Sequence, residues 1–120
     1  VEPATLGMNG ANIRIVRKIG KPRILDGDNR KGWTHIRRRH IDGDDAAGDG
    51  DLFAPGTRRE DVQKAVEEIV GSGTRQSDPA RRIQIFDKRM TVNGMRANYR
   101  AVVDSADDSV VTVFPILGGR

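Results

Sequence analysis

The chain has 120 residues, contains no cysteine and carries a formal net charge of +4 at neutral pH. Its length suits one domain of ordinary size. The lack of cysteine excludes disulfide bonds, thiolate metal sites and a cysteine nucleophile. No stretch approaches the roughly 18–20 apolar residues of a membrane-spanning helix. A charged-then-apolar leader is also missing, so we expect no signal peptide in this sequence.

The charge is distributed unevenly along the chain. Residues 1–41 contain ten Lys and Arg against three Asp and Glu, whereas residues 42–51 contain five Asp and no basic residue. A basic segment of this density is typical of proteins that bind nucleic acid. A solvated basic face without a partner would have the same composition, so charge alone leaves both interpretations open.

The start of the chain has few regular patterns. Residues 1–11 are small and polar and are expected to be a linker, which leaves residues 12–120 as a single domain. The apolar run from Asn12 to Ile19 fits either a strand or a short helix, because its period does not decide between them. Asp26-Gly27-Asp28-Asn29 has the composition of a turn.

The segment from Gly32 to Ile41, GWTHIRRRHI, contains the only tryptophan, both histidines and three consecutive arginines. We interpret it as a helix with Trp33, Ile36 and His40 on one face. His35 and His40 are five residues apart, which is about 140° around an α-helix. The two imidazoles should therefore point in different directions and should not share a metal ion.

An acidic loop is predicted next, at residues 42–51. Asp42 and Asp44 have the spacing of the first ligands of a calcium-binding loop, but Ala46 and Ala47 stand where further ligands and the turn glycine should be. We therefore predict no calcium site.

A second helix is predicted after this loop. Thr57 and Glu60 have the spacing of a capping box, and Gly71 and Gly73 mark the end of the helix. Between them, apolar residues recur at intervals of three and four, which predicts one buried stripe. The stripe consists of Val62, Ala65, Val66, Ile69 and Val70. The opposite face is charged, and we assign no chemistry to it.

Beyond Pro79 the apolar period changes to two, which indicates strands. Strands are predicted at 82–86, from Met95 onwards and at 110–115, with a hairpin turn at Asn93-Gly94 and an end at Pro115. Helices followed by an antiparallel β-meander predict an α+β fold.

Motifs of the common hydrolases are missing from the sequence. The two histidines lack the spacing and the glutamate of a zinc protease, and no P-loop or Gly-x-Ser-x-Gly motif occurs. The aspartates cluster in glycine-rich loops, where they should stay solvated, unlike the paired carboxylates of a glycosidase. Metal-free cleavage of RNA needs less: a base, an acid and a cation, because the RNA supplies the nucleophile.

The histidine segment contains all three kinds of group. We take His35, His40 and Arg39 as candidate catalytic residues, and Arg37 and Arg38 as candidates for contacts with phosphate. Packing is a rival interpretation for His40, because that residue shares the face of the tryptophan. The tryptophan itself is more typical of a core than of a base-stacking platform.

The pattern GW-x-HI-x-x-RH in an early helix, followed by an amphipathic helix and by strands that contain YR-x-VVD and VVTVFP, resembles a known group of proteins. These are the C-terminal toxin domains of bacterial contact-dependent growth inhibition and related polymorphic toxin systems. Among them the chain is most similar to ribonucleases of the barnase–EndoU–colicin–RelE fold group. The similarity extends roughly over residues 30–115.

The resemblance implies a metal-independent endoribonuclease without a cofactor, often specific for tRNA, that leaves a 2′,3′-cyclic phosphate. It implies delivery by the producing bacterium as the C-terminal part of a larger secreted effector. The domain would then act in the cytoplasm of a target cell, and a cognate immunity protein would neutralise it.

EndoU-like members use two histidines, a basic residue, a Thr or Ser, and a Tyr on the late strands. Here the resemblance assigns these roles to His35, His40, Tyr99 and Thr112, although the two histidines of EndoU-like enzymes lie farther apart in sequence. The basic residue is left open. In other branches of the group a single histidine with Arg82, Lys88 or Arg100 would suffice, and these three are also candidates for contacts with RNA.

Tyr99 alternates with apolar residues, so a core position is a rival interpretation for it. Thr112 shares a strand face with Phe114, where its hydroxyl either bonds across strands or belongs to a site. Two other functions also fit the sequence: a non-catalytic nucleic-acid-binding module, and a toxin with DNase or nucleotide-modifying activity.

Overall fold

The computed structural model describes residues 16, 18–42 and 52–116. The predicted linker, most of the run from Asn12 to Ile19 and the acidic loop beyond Asp42 lie outside these residues. The elements in chain order are helix α1 (Gly32–Ile36), continued by a π-helical segment (Arg37–Ile41), helix α2 (Arg59–Ser72), and strands β1 (Thr74–Arg75), β2 (Ile83–Val92), β3 (Met95–Asp104) and β4 (Ser109–Ile116). Within this part of the chain, no helix has the length and apolar character needed to cross a membrane.

The four strands form one antiparallel sheet in chain order, which confirms the α+β class. Asn93 and Gly94 have φ angles of 49° and 83°, as a two-residue hairpin turn requires, so that prediction is confirmed. The prediction that Pro115 ends the last strand is wrong, because β4 continues to Ile116. β4 is an edge strand, where a residue without an N–H is tolerated.

Helix α2 buries the predicted stripe against β2 and β3. Val62, Ala65, Val66 and Ile69 are buried, as the spacing predicted. The cap differs from the prediction: the helix begins at Arg59, and the backbone N–H of Arg58 donates to Asp61 Oδ2 at 3.0 Å. Asp61 therefore supplies the capping carboxylate that was assigned to Glu60.

Alternation along the strands gives the sheet two unlike faces. The face under α2 is apolar and buried; we call it the core face, and it includes Phe86, Met90, Ala97, Tyr99, Ala101 and Val113. The opposite face, here the outer face, carries exposed or half-buried side chains in register across three strands. These include Asp87, Arg89, Asn98, Arg100, Thr112, Phe114 and Ile116.

One ion pair joins the neighbouring ends of β2 and β3. Arg82 donates through Nε and Nη2 to both carboxylate oxygens of Asp104, at 2.6 to 3.0 Å. These hydrogen bonds are the main cause that lowers the pKa of the buried Asp104 from 3.8 to about 2. Arg82 therefore has a structural partner, and its contact with RNA stays a prediction.

Removing this partner should change the acid sensitivity of the fold. Because the pKa of Asp104 is lower in the folded state than in the unfolded chain, the ion pair stabilises fully above about pH 4 and is lost as the pH falls towards 2. We expect the free energy of unfolding, measured in urea, to decrease more steeply over this range in the wild type than in Arg82→Met. The difference between the two slopes should correspond to the uptake of up to about one proton on unfolding. The exposed neighbour Arg81→Met is the control and should behave as the wild type; equal slopes in all three proteins would contradict the assignment.

Candidate active site

A tight loop at residues 25–31 leads into α1. The backbone N–H of Trp33 donates to the carbonyl of Leu25 at 2.7 Å. Gly27 has a φ of +65°, and a Cβ added to it would lie 2.0 Å from the carbonyl oxygen of Lys31. Only glycine fits that position, and residues 26–29 form an irregular loop without an assigned turn.

Arg59, at the start of α2, ties this loop to the rest of the domain. Its guanidinium donates to Asp26 Oδ1 and to the carbonyl of Ile24, each at 2.8 Å. The same group lies over the ring of Trp33, 5.8 Å from the ring centroid. Trp33 is half-buried against the core, as the packing interpretation expected.

Asn29, in the same loop, contacts one histidine and one arginine. Its backbone carbonyl lies 3.0 Å from His35 Nδ1, and its side-chain oxygen accepts a hydrogen bond from Arg38 Nη1. A carbonyl oxygen can only accept, so Nδ1 carries the proton and Nε2 of the neutral ring is an acceptor. An imidazole in this state can take a proton from a hydroxyl group.

The two imidazoles are neighbours, so the expected divergence of His35 and His40 is wrong. Their ring centroids are 5.7 Å apart, and the rings meet edge to face at 77°. The cause is the π-helical segment, in which the N–H of Asp42 donates to the carbonyl of Arg37, five residues back, at 2.7 Å. This wider turn brings residues five apart closer together than an α-helix does, and such turns are frequent at functional sites.

The two histidines differ in their access to solvent. His40 is only 4% exposed, and its ring stacks on Phe114 with the centroids 5.0 Å apart. His35 is half-buried. A substrate can therefore reach His35 but not His40 in this arrangement. His40 therefore lies behind His35 in this arrangement, and its catalytic role stays a prediction.

The register of the sheet extends the site across the outer face. Phe114 lies opposite Arg100, and Arg100 lies opposite Asp87. Side chains of directly paired residues project from the same face of a sheet. Arg100 donates to both oxygens of Asp87 at 2.8 Å, and these hydrogen bonds raise the pKa of its guanidinium. His40 thus contacts both the ring of His35 and the ring of Phe114, and Phe114 lies beside Arg100 on the outer face.

Thr112 lies on the same face, two residues before Phe114. Its hydroxyl oxygen is buried and has no hydrogen-bond partner among the described residues. The sequence predicted that Thr112 shares a strand face with Phe114, and the register agrees with that. The buried oxygen is not exposed to a substrate, however, so its role in orienting a phosphate stays a prediction.

Tyr99 and Lys88 lie opposite each other on the core face, away from these residues. The Tyr99 side chain is fully buried, and its hydroxyl donates to the carbonyl of Met95 at 2.6 Å. Burial raises the pKa of this phenol. The Nζ of Lys88 lies 4.0 Å from a carboxylate oxygen of Glu68 on α2. Tyr99 is thus a core residue in this arrangement, and its catalytic role and the RNA contact of Lys88 stay predictions.

The three consecutive arginines have different surroundings. Arg37 pairs with Asp42 at 3.0 Å, and Arg38 donates to Asn29. Arg39 is half-buried and has no ion pair or hydrogen bond with any residue in the described ranges. Of the three, Arg39 is the best placed to hold an anionic substrate.

Other outer-face residues were missed by sequence reasoning. Arg89 and Arg96 are exposed there, and neither forms an ion pair with another described residue. Their alternation with buried neighbours in β2 and β3 could have placed them beside Arg100. Nothing in the sequence marked Asn29 as a residue of the site, because asparagine is an ordinary turn residue.

No family model, curated protein or solved structure matches this chain. Among the residues that the structure describes, no three His, Asp or Glu side chains are grouped so that they could hold a metal ion. The chemistry of the site must therefore be argued from its own geometry.

Two hydroxyl groups on opposite faces of the sheet allow a direct test of these placements. Thr112→Val removes a buried hydroxyl without a partner, so the variant should keep or raise its free energy of unfolding. Tyr99→Phe is the matched control, because it removes a hydroxyl that donates to Met95, and it should lose about 1 kcal/mol. Urea unfolding measures both; a Thr112→Val protein that is less stable than Tyr99→Phe would contradict the arrangement.

Proposed function

We propose that this chain is a metal-independent endoribonuclease that cleaves RNA by attack of a 2′-hydroxyl on the adjacent phosphate. The observation that supports it best is the state of His35, whose Nδ1–H is held by Asn29 while Nε2 is left as an acceptor. This ring and Arg39, which has no ion pair or hydrogen bond with another residue in the described ranges, supply the two groups that the reaction needs first: a base and a cation.

In the proposed reaction His35 Nε2 takes the proton of the 2′-hydroxyl. The resulting oxygen attacks phosphorus, the bond from phosphorus to the 5′-oxygen breaks, and a 2′,3′-cyclic phosphate is formed. His40 is too buried to reach the substrate, so the leaving 5′-oxygen takes its proton from solvent. The guanidinium groups of Arg39 and Arg100 stabilise the extra negative charge on the phosphoryl oxygens.

The outer face offers a path for the rest of the RNA strand. Arg89 and Arg96 are exposed along β2 and β3, on the same face as Arg100. Cations along a sheet face contact the phosphate backbone and fix its position without reading sequence. We therefore place the single-stranded substrate across the outer face, with His35 at the edge where α1 meets β4.

The resemblance to contact-dependent inhibition toxins adds a biological role to this chemistry. As part of the proposal, tRNA is the substrate class, and the domain is delivered by a producing bacterium into the cytoplasm of a target cell. A cognate immunity protein would bind over the outer face and the histidine segment, because that is where the substrate must enter.

A non-catalytic RNA-binding module is the second candidate. One observation favours it: of the two histidines only His35 is accessible, so the second imidazole of a two-histidine mechanism is missing. This candidate uses the same arginines and produces no cleavage. A DNase or a nucleotide-modifying enzyme would act on a different substrate.

Cleavage of total RNA by His35→Ala tests the proposal. Loss of the general base should reduce the cleavage rate by at least about 100-fold. Lys64→Ala is the matched control, because that residue is exposed on helix α2, away from the outer face, and should leave the rate unchanged. The 2′,3′-cyclic phosphate at the product ends is detected by its conversion to a 2′-phosphate or 3′-phosphate. DNA is incubated in parallel to detect DNase activity.

Three outcomes would contradict the proposal. Undiminished cleavage by His35→Ala would remove the assigned base. Loss of activity in EDTA, with recovery on adding magnesium or zinc, would replace the mechanism with a metal-dependent one. Salt-dependent binding of RNA without any product would favour the binding module.

A further inference from the structure

A cavity of about 490 Å³ lies next to the candidate active site on the outer face. Asp87, Arg89, Asn98 and Ile116 of the outer face line it, together with Gly73 and Gln76. The cavity therefore extends from the end of α2 across β2 and β3 to the last residue of β4.

The sheet register gives the spacing between two residues that line this cavity and two residues of the candidate site. Asn98 is two residues from Arg100, and Ile116 is two residues from Phe114, on which His40 stacks. Two residues along a strand span about 7 Å. That distance is comparable to one nucleotide step along an extended single strand of RNA.

The lining of the cavity suits a nucleobase better than a phosphate. The carboxyl-terminal end of α2, at Ser72 and Gly73, is partly negative and repels an anion, and the carboxylate of Asp87, which is paired with Arg100, keeps lone pairs that can accept further hydrogen bonds. The same groups accept hydrogen bonds from the exocyclic amino groups of adenine, guanine or cytosine. Uracil has no such group.

Two amide side chains complete the polar lining. Asn98 and Gln76 are exposed, and neither side chain has a hydrogen bond to another described residue. An amide offers both a donor and an acceptor, as the edge of a base does. Ile116 provides an apolar surface, and the guanidinium of Arg89 provides a plane on which a base can stack.

We infer that this cavity binds one base of the RNA, next to the cleaved phosphate, and that it favours a base with an exocyclic amino group. The inference rests on the proposed function and names its base-recognition site. Binding of a phosphate group in the cavity is the competing outcome, because the cationic side chains of Lys88 and Arg89 are among its lining residues.

Binding of mononucleotides, followed by NMR on the intact chain, tests the inference without requiring cleavage. Titrations with 3′-AMP, 3′-GMP, 3′-CMP and 3′-UMP should shift the side-chain amide signals of Asn98 and Gln76, most weakly for 3′-UMP. Ribose 5-phosphate, which has no base, should leave them in place. Asn98→Ala should raise the Kd for the favoured nucleotide by about fivefold, the effect of one lost hydrogen bond.

Thr91→Ala is the control, because Thr91 is exposed on the outer face but does not line the cavity; its Kd should equal that of the wild type. Equal shifts with ribose 5-phosphate would show a phosphate site, and unmoved amide signals would show no site; either result overturns the inference.

If nucleotides bind as expected but RNA stays intact, the proposed cleavage fails while the base site stands. If RNA is cut but the amides do not respond, only the base site fails.

Discussion

The hydrogen bond from the N–H of Asp42 to the carbonyl of Arg37 is the constraint on which the candidate site depends. It defines a π-helical turn in a segment that would otherwise continue α1 as an α-helix. In an α-helix His35 and His40 would be about 140° apart around the axis. The π-helical turn brings their rings into contact, while Ile36 stays in the core and His40 packs on Phe114. Burial of these two side chains offsets the poorer geometry of the turn.

The sheet then separates a buried apolar face from a polar face. Its core face is filled by α2 and by residues such as Tyr99, whose hydroxyl is already donated to a backbone carbonyl. Its outer face holds the arginines, and the edge strand β4 brings Phe114 under the histidine segment. A small domain can in this way keep one compact apolar layer and still expose a polar face of sheet. The same separation explains why residues adjacent in sequence, such as Tyr99 and Arg100, have unrelated roles.

Sequence patterns predicted the elements whose periodicity is strong. The α2 stripe and the alternation of β3 follow from 3.6-residue and two-residue repeats, and the hairpin follows from the left-handed preference of Asn93-Gly94. Alternation also offered a core position for Tyr99, and its side chain is buried there. The π-helical turn could not be predicted, because its hydrogen bonds depend on packing against β4 and not on a local repeat. Asn29 was missed because it acts mainly through a backbone carbonyl, which every residue has.

The central claim is that Asn29 holds His35 with the proton on Nδ1 and leaves Nε2 free to act as a base. Two-bond ¹H–¹⁵N correlation spectra of the ¹⁵N-labelled protein, recorded at a pH where the imidazole is neutral, report the tautomer of each histidine directly. We expect His35 to show a protonated Nδ1 and an acceptor Nε2. A proton on Nε2, with Nδ1 as the acceptor, would contradict both the hydrogen bond to Asn29 and the role of His35 that is built on it.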